Sequence, residues 1–416
     1  MNGLTPLCHI TCQVQQHLSA LSVPLQNVLS HLTYALLQAK DVRQNHLAQS
    51  APPNTKPDSF ERRFQRFLAN PRIPLEATQE QWAKWVLREL STDLAPLADA
   101  AKVAGASPAE VVLLVDETSL AEHVRVMALC LAYQGRAIPL CWESYEMGSP
   151  RCQVQVITTL LQRVHQAMPA MLAGHPIVVQ ADRGIGCSPA LLKAISDLGW
   201  YYLVRVQKTV RLRFPVSDVR GETTGETPGE TGNTPENRGS EVPFSSLLAC
   251  EGDHLPLCFG QAFKKAGWLD CGILGCFTSG HQDAWCLLTN YPKATCRGYA
   301  LRMWVEACFR DLKSNGWQWQ RSRVRSPAKV GRLWLVMALS LVFALSLGTQ
   351  VAQEAALRRE VARGKARRQS VFVLGLRLFA AILRGRVACE RVLWQRWVLL
   401  PELPSDAFND AEKTVV

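Results

Sequence analysis

Apolar residues recur at helical spacing through the first hundred positions and then give way, at Val111, to continuous apolar runs. VPLQNVLSHLTYALLQA and DSFERRFQRFLAN carry apolar positions three and four apart, which predicts two amphipathic helices separated by the breaker APPNTKP. Asp58 or Ser59 is placed to cap the second. VVLLVD and PIVVQAD are unbroken apolar runs ending in Asp116 and Asp182, the pattern of strands buried on both faces. Between them VRVMALCLAY, the turn signal Gln134-Gly135-Arg136 and AIPLCWESY extend the first run into a predicted meander, and a helix fits QVQVITTLLQRVHQAM. A helix over LLKAISDLG and a strand over WYYLVRVQK follow the second aspartate. Short strands are predicted at LPLCFGQAF, CGILGCF and AWCLLTNY.

This order predicts an α/β protein in five regions. Residues 1–108 are helical, 109–209 form the first part of an α/β core, 210–293 are a β-rich insertion, 294–350 complete the core and 351–416 are basic and helical. Within the insertion, residues 214–243 repeat Gly-Glu-Thr, a composition that cannot bury a core and predicts a flexible loop. The run LWLVMALSLVFALSLG, residues 333–348, is shorter than the roughly twenty residues that cross a bilayer, so a buried core helix is expected and no membrane partner. A membrane span is the competing reading of that run.

The formal net charge of +11 turns attention to polyanionic partners, nucleic acid before any other. Fourteen cysteines are scattered, and the stretch MNGLTPLCHITCQVQQHL lacks the basic start and apolar core of a signal peptide. Reduced thiols in a cytoplasm are expected. Cys8, His9 and Cys12, and the pair Cys271 and Cys276, lack the spacing of a zinc site.

The stretch YALRMWVEACFRDLK holds the candidate chemistry. Tyr299, Arg302, Glu306 and Lys313 are spaced by three, four and seven residues, and at about 100° per residue all four come to one face of a helix. An outer face laced with salt bridges explains the same pattern. Asp116, Asp182 and Glu306 together would make an oxygen-rich site for hard cations such as Mg²⁺ or Mn²⁺. Downstream, Arg321, Arg323, Arg325, Lys329 and Arg332 crowd beside Trp317 and Trp319. The cations suit phosphates, while the indoles suit either stacking on bases or a place in the core. Arg62, Arg63 and Arg66 make a similar basic face that fits a DNA-binding helix or a solvated one.

The order D-x-T at Asp116, D-R-G at Asp182 and Y-x2-R-x3-E-x6-K from Tyr299 to Lys313 resembles the DDE transposases of bacterial insertion sequences, in the branch named for insertion sequence four. The resemblance implies a ribonuclease H-like (retroviral-integrase-like) catalytic core interrupted by a β-rich insertion. It implies that Asp116, Asp182 and Glu306 bind two Mg²⁺ or Mn²⁺ ions per active site, and that Tyr299, Arg302 and Lys313 engage phosphates near the transposon end. The N-terminal helices would recognise terminal inverted repeats, and a homodimer would hold the DNA. The implied partner is double-stranded DNA, both transposon ends and target, in a bacterial cytoplasm at the nucleoid. A catalytically inactive, transposase-derived DNA-binding protein is the alternative. A phosphotransferase with Asp116 as nucleophile lacks the second aspartate two residues on and leaves Tyr299–Lys313 unexplained.

Overall fold

The computed structural model describes residues 5–103 (93–103 as backbone only), 109–215, 241–280, 282–361 and 369–392. Most of the Gly-Glu-Thr loop, part of the basic cluster at 357–368 and the chain beyond 392 lie outside the described residues.

Helices open the chain: α1 (Pro6–His17), α2 (Val23–Ala39), α3 (Gln44–Gln49), α4 (Pro57–Ala69) and α5 (Leu75–Val103). In α4, Phe60, Phe64, Phe67 and Leu68 are buried while Arg62, Arg63 and Arg66 face solvent. Neither Asp58 nor Ser59 is its cap. The N-cap is Lys56, and Pro57 takes the first helical position, where its missing N–H would have had no helical partner.

Strands and helices then alternate: β1 (Val111–Leu120), β2 (Val124–Tyr133), β3 (Arg136–Glu146), α6 (Gln153–Ala167), β4 (Ile177–Ala181), α7 (Arg183–Gly186), α8 (Pro189–Asp197) and β5 (Tyr201–Arg205). Five more strands follow: β6 (Arg211–Arg213), β7 (Glu241–Pro243), β8 (His254–Ala262), β9 (Leu269–Cys276) and β10 (Trp285–Thr289). The chain continues through α9 (Cys296–Tyr299), α10 (Met303–Leu312), α11 (Pro327–Gln353), α12 (Ala355–Val361) and α13 (Val371–Leu383). The architecture is α/β, divided into two compact units: Met1–Ile177 with Leu301–Val416, and Val178–Ala300.

In the first unit β1, β2 and β3 form an antiparallel meander. Gln134 and Gly135 turn between β2 and β3 with φ of 49° and 75°, the positive values a tight hairpin needs. β1 does not stop at Asp116, which corrects the expectation of a strand-end aspartate. It runs on to Leu120 with Asp116 opposite Ala128, because pairing with β2 satisfies the backbone of the mixed-polarity residues Glu117 to Ser119.

α11 is 27 residues long, well beyond its sixteen-residue apolar run. Its length and composition would suffice to cross a membrane, but here its apolar stretch is wholly buried, with α2, α4, α13 and β3 packed against it. α11 and α13 approach closely where Gly348 and Gly375 cross. A Cβ on Gly348 would fall 1.7 Å from the Val371 carbonyl oxygen, and one on Gly375 1.7 Å from that of Ala344.

The second unit is a sheet in the order β4-β5-β10-β9-β8-β6-β7. β4 and β5 are parallel, and the other neighbours are antiparallel. The β-rich stretch therefore continues the sheet of β5, through Leu287 paired with Arg205 and Thr289 with Leu203. Val178, Leu203, Leu274, Leu287, Tyr291 and Tyr299 form its buried cluster.

Candidate active site

The stretch from Tyr299 to Lys313 is not one helix. α9 ends at Tyr299, Ala300–Arg302 is a 3₁₀ turn, and α10 begins at Met303. A 3₁₀ turn winds at about three residues per turn, so it resets the phase on which a shared face depended. Tyr299 falls in the second unit, whereas Arg302, Glu306 and Lys313 fall in the first.

α10 is seated by Val305, Cys308, Phe309 and Leu312, an apolar stripe at helical spacing that is buried. Burying such side chains contributes about 1.5–3 kcal/mol each for the larger ones. The stripe packs on β3, β2 and β1. This seating brings Glu306 to Asp116, and Arg302 bridges them. Its Nη2 donates to Asp116 Oδ2 at 3.1 Å, and its Nη1 donates to Glu306 Oε1. The Arg302 and Asp116 side chains are only 11% and 12% exposed. Asp116 Oδ1 also accepts from the Glu117 N–H at 2.9 Å. Behind the site the surroundings are dry, and burial pushes the Cys130 thiol well up.

A second ion pair locks α10 to the sheet. Arg136, at the start of β3, donates to Asp311 Oδ2 at 2.5 Å, and Asp311 is buried. Burial pushes the Asp311 carboxyl up while Arg136 opposes that shift. Sequence reasoning did not assign this pair. The available signal was an acidic residue on the apolar side of α10 and an arginine in the hairpin turn. Lys313 is the C-cap of α10, with Nζ 5.9 Å from the Trp319 ring centroid. Burial pulls its ammonium pKa down, and Asp116 acts in the opposite sense.

In the second unit Asp182 follows β4 and caps α7: its Oδ1 accepts from the N–H groups of Gly184 and Ile185 at 3.0 and 3.1 Å. The short turn is pressed against β5, since a Cβ on Gly186 would lie 2.4 Å from the Arg205 carbonyl oxygen. Tyr299 is 4% exposed, its hydroxyl donates to the Ala181 carbonyl at 3.2 Å, and its ring meets Trp285 edge-on at 5.2 Å. That corrects the expectation of a phosphate contact in this conformation: the phenol is in the core and its O–H is directed to backbone. Gln180, the one polar side chain in the run IVVQA, donates to the Gly298 carbonyl at 2.9 Å and so also ties α9 to β4.

Trp317 and Trp319 are corrected as well. Both are 0% exposed, Trp317 against Phe372 at 5.1 Å and Trp319 against Trp334 at 5.3 Å, so neither offers a face to a base. Arg321, Arg323 and Arg325 are exposed, as is Lys329. Arg332 is spent within the protein, donating to the Leu68 carbonyl at 2.7 Å.

Among the described residues no three His, Cys, Asp or Glu side chains gather to hold a metal ion. The pair Asp116 and Glu306 nevertheless fits a hard divalent cation. Both are carboxylates, they come from different elements, and the fold already directs them at one cation, the Arg302 guanidinium.

Residues 149–343 match the family model described as the transposase DDE domain. The matched stretch starts downstream of Asp116 and includes Asp182 and all of Tyr299–Lys313. Over that stretch, just under half of the chain, the protein is similar to the transposase DDE domain. No curated protein matches the chain.

Proposed function

We propose that the chain is a transposase that binds the terminal inverted repeats of an insertion sequence, cleaves DNA at the element ends by two-metal hydrolysis and joins the 3′-hydroxyl ends to target DNA by transesterification. The observation that carries this reading is the convergence of Asp116, from β1, and Glu306, from α10, on one partly buried cation. The match to the transposase DDE domain supports it, and the fold that family implies is ribonuclease H-like.

Asp116, Asp182 and Glu306 are the proposed ligands for Mg²⁺ or Mn²⁺, with Asp182 included on the strength of the D-R-G pattern. Bound divalent ions would stabilise charge on the scissile phosphodiester and lower the pKa of the attacking water or hydroxyl. The chain's own side chains orient and exclude. Arg302 and Lys313 are proposed to bind phosphate at the transposon end. The exposed Arg321, Arg323 and Arg325 contribute a sequence-independent electrostatic footprint on the backbone. A homodimer would hold two ends at once.

The test is Glu306→Gln on a duplex carrying the inverted repeats that bracket the coding region. Metal-dependent nicking is expected to fall below about one-thousandth of the wild-type rate while repeat binding is retained. Cleavage that persists in the variant would sink the assignment. A wild type that binds repeats without any metal-dependent nicking would instead identify an inactive, transposase-derived binding protein.

A further inference from the structure

We infer that Arg302 is an exchangeable cation: it neutralises Asp116 and Glu306 until a divalent ion takes those oxygens, and only then is its guanidinium released to a DNA phosphate. The inference rests on the proposed metal chemistry at these two carboxylates and adds an order and a coupling to it.

The geometry sets up a competition. β1 and α10 bring two carboxylates together, and their mutual repulsion has to be offset by a cation. Arg302 supplies it, with Nη2 at 3.1 Å from Asp116 Oδ2 and Nη1 on Glu306 Oε1. Little water screens the Arg302–Asp116 contact, since both side chains are nearly covered, while Glu306 is the solvent-facing partner at 39% exposed. A divalent ion on the same oxygens places two positive charges where the guanidinium has one. Like charges at that distance repel, so an ion that takes Asp116 Oδ2 and Glu306 Oε1 weakens the guanidinium's hold on them.

The same geometry makes release feasible. Arg302 closes the 3₁₀ turn and stands at the N-cap of α10, and it reaches Glu306 from one helical turn away. Side-chain rotation moves the guanidinium off Asp116 and Glu306 and leaves the buried stripe of α10 in place. A displaced guanidinium is a planar fork, matched to phosphate oxygens. Coupling follows by linkage: a phosphate that captures Arg302 removes the competitor, so DNA raises metal affinity by the factor by which metal raises DNA affinity. A carboxylate pair neutralised in this way holds metal weakly until a DNA end is present.

The experiment uses the full chain and Mn²⁺ alone, without DNA. Titration calorimetry is expected to show Mn²⁺ binding about tenfold tighter in Arg302→Gln than in wild type, the loss of one competing ion pair. In wild-type protein, phenylglyoxal modification of Arg302, read by peptide mass spectrometry, is expected to rise at saturating Mn²⁺. The rise should vanish in the double variant Asp116→Asn, Glu306→Gln. Equal or weaker Mn²⁺ binding in Arg302→Gln overturns the exchange. If that variant does not fold, the wild-type labelling decides, and labelling that is unchanged or reduced by Mn²⁺ overturns it equally. Cleavage of repeat-bearing DNA by the wild type separates the two readings. Exchange without cleavage leaves this inference standing and removes the transposase one, whereas cleavage without exchange does the reverse.

Discussion

The contacts that seat α10 in the first unit and those that seat α9 in the second are of different kinds. In the first unit Asp116 and Glu306 sit on a guanidinium, and α10 is fastened by a second ion pair, Arg136–Asp311. In the second unit Asp182 accepts from backbone N–H groups, and Tyr299 and Gln180 tie α9 to β4 by neutral hydrogen bonds. A charged partner can be exchanged for another charge, whereas a buried neutral hydrogen bond has no substitute that does not cost its desolvation. The first arrangement suits a place where cations and phosphates come and go. The buried bonds of Tyr299 and Gln180 suit a scaffold that holds the neighbourhood of Asp182 in place.

The largest expected effect on stability falls on the charged anchor. Asp311→Ala strips the carboxylate from Arg136 at a buried position and should destabilise by about 3 kcal/mol in denaturant unfolding. Asp311→Asn, which keeps an acceptor, should lose less. If both cost nothing, α10 is held by its apolar stripe alone and the contrast between the units weakens.

Tyr299→Phe probes the neutral side. Removing the hydroxyl leaves the ring packing on Trp285 and deletes the bond to Ala181, for an expected loss of about 1 kcal/mol in the same assay. A large fall in repeat affinity at unchanged stability would show instead that the phenol reaches DNA after rearrangement.

The smallest effect belongs to Lys313 and is read as a pH slope. Burial lowers its folded pKa below the unfolded value of about 10.4, so in the window just below that value the unfolded chain binds more protons. Wild type should therefore gain stability relative to Lys313→Gln as pH rises through that window and lose the gain as pH falls. Parallel profiles would show that Lys313 is solvated in solution. The same variant should weaken DNA binding and flatten its salt dependence by about one phosphate contact.

Much of the fold is visible in local pattern. The periodic stretch 23–39 is α2, the apolar runs are β1 and β4, and Gln134-Gly135 is the hairpin turn between β2 and β3. These follow from side-chain periodicity and turn chemistry, which act over a few residues. The break at Ala300–Arg302 had no such signal, since Tyr299–Lys313 contains neither proline nor glycine. The indoles of Trp317 and Trp319 stand in a basic, polar stretch, and only their packing against Phe372 and Trp334, from distant helices, places them inside.

The chain by itself therefore determined its α/β class, most of its strands and helices, and the carboxylates and cations from which a site is to be built. It also held the three-, four- and seven-residue spacing of Tyr299, Arg302, Glu306 and Lys313. Only the tertiary structure decided which of these meet. Arg302 reaches Asp116 across 186 residues of sequence, while Tyr299, three residues before it, turns into a different core. Spacing constrains direction along one helix. Contact across elements depends on how buried stripes seat against a sheet, and that is a property of the packed whole.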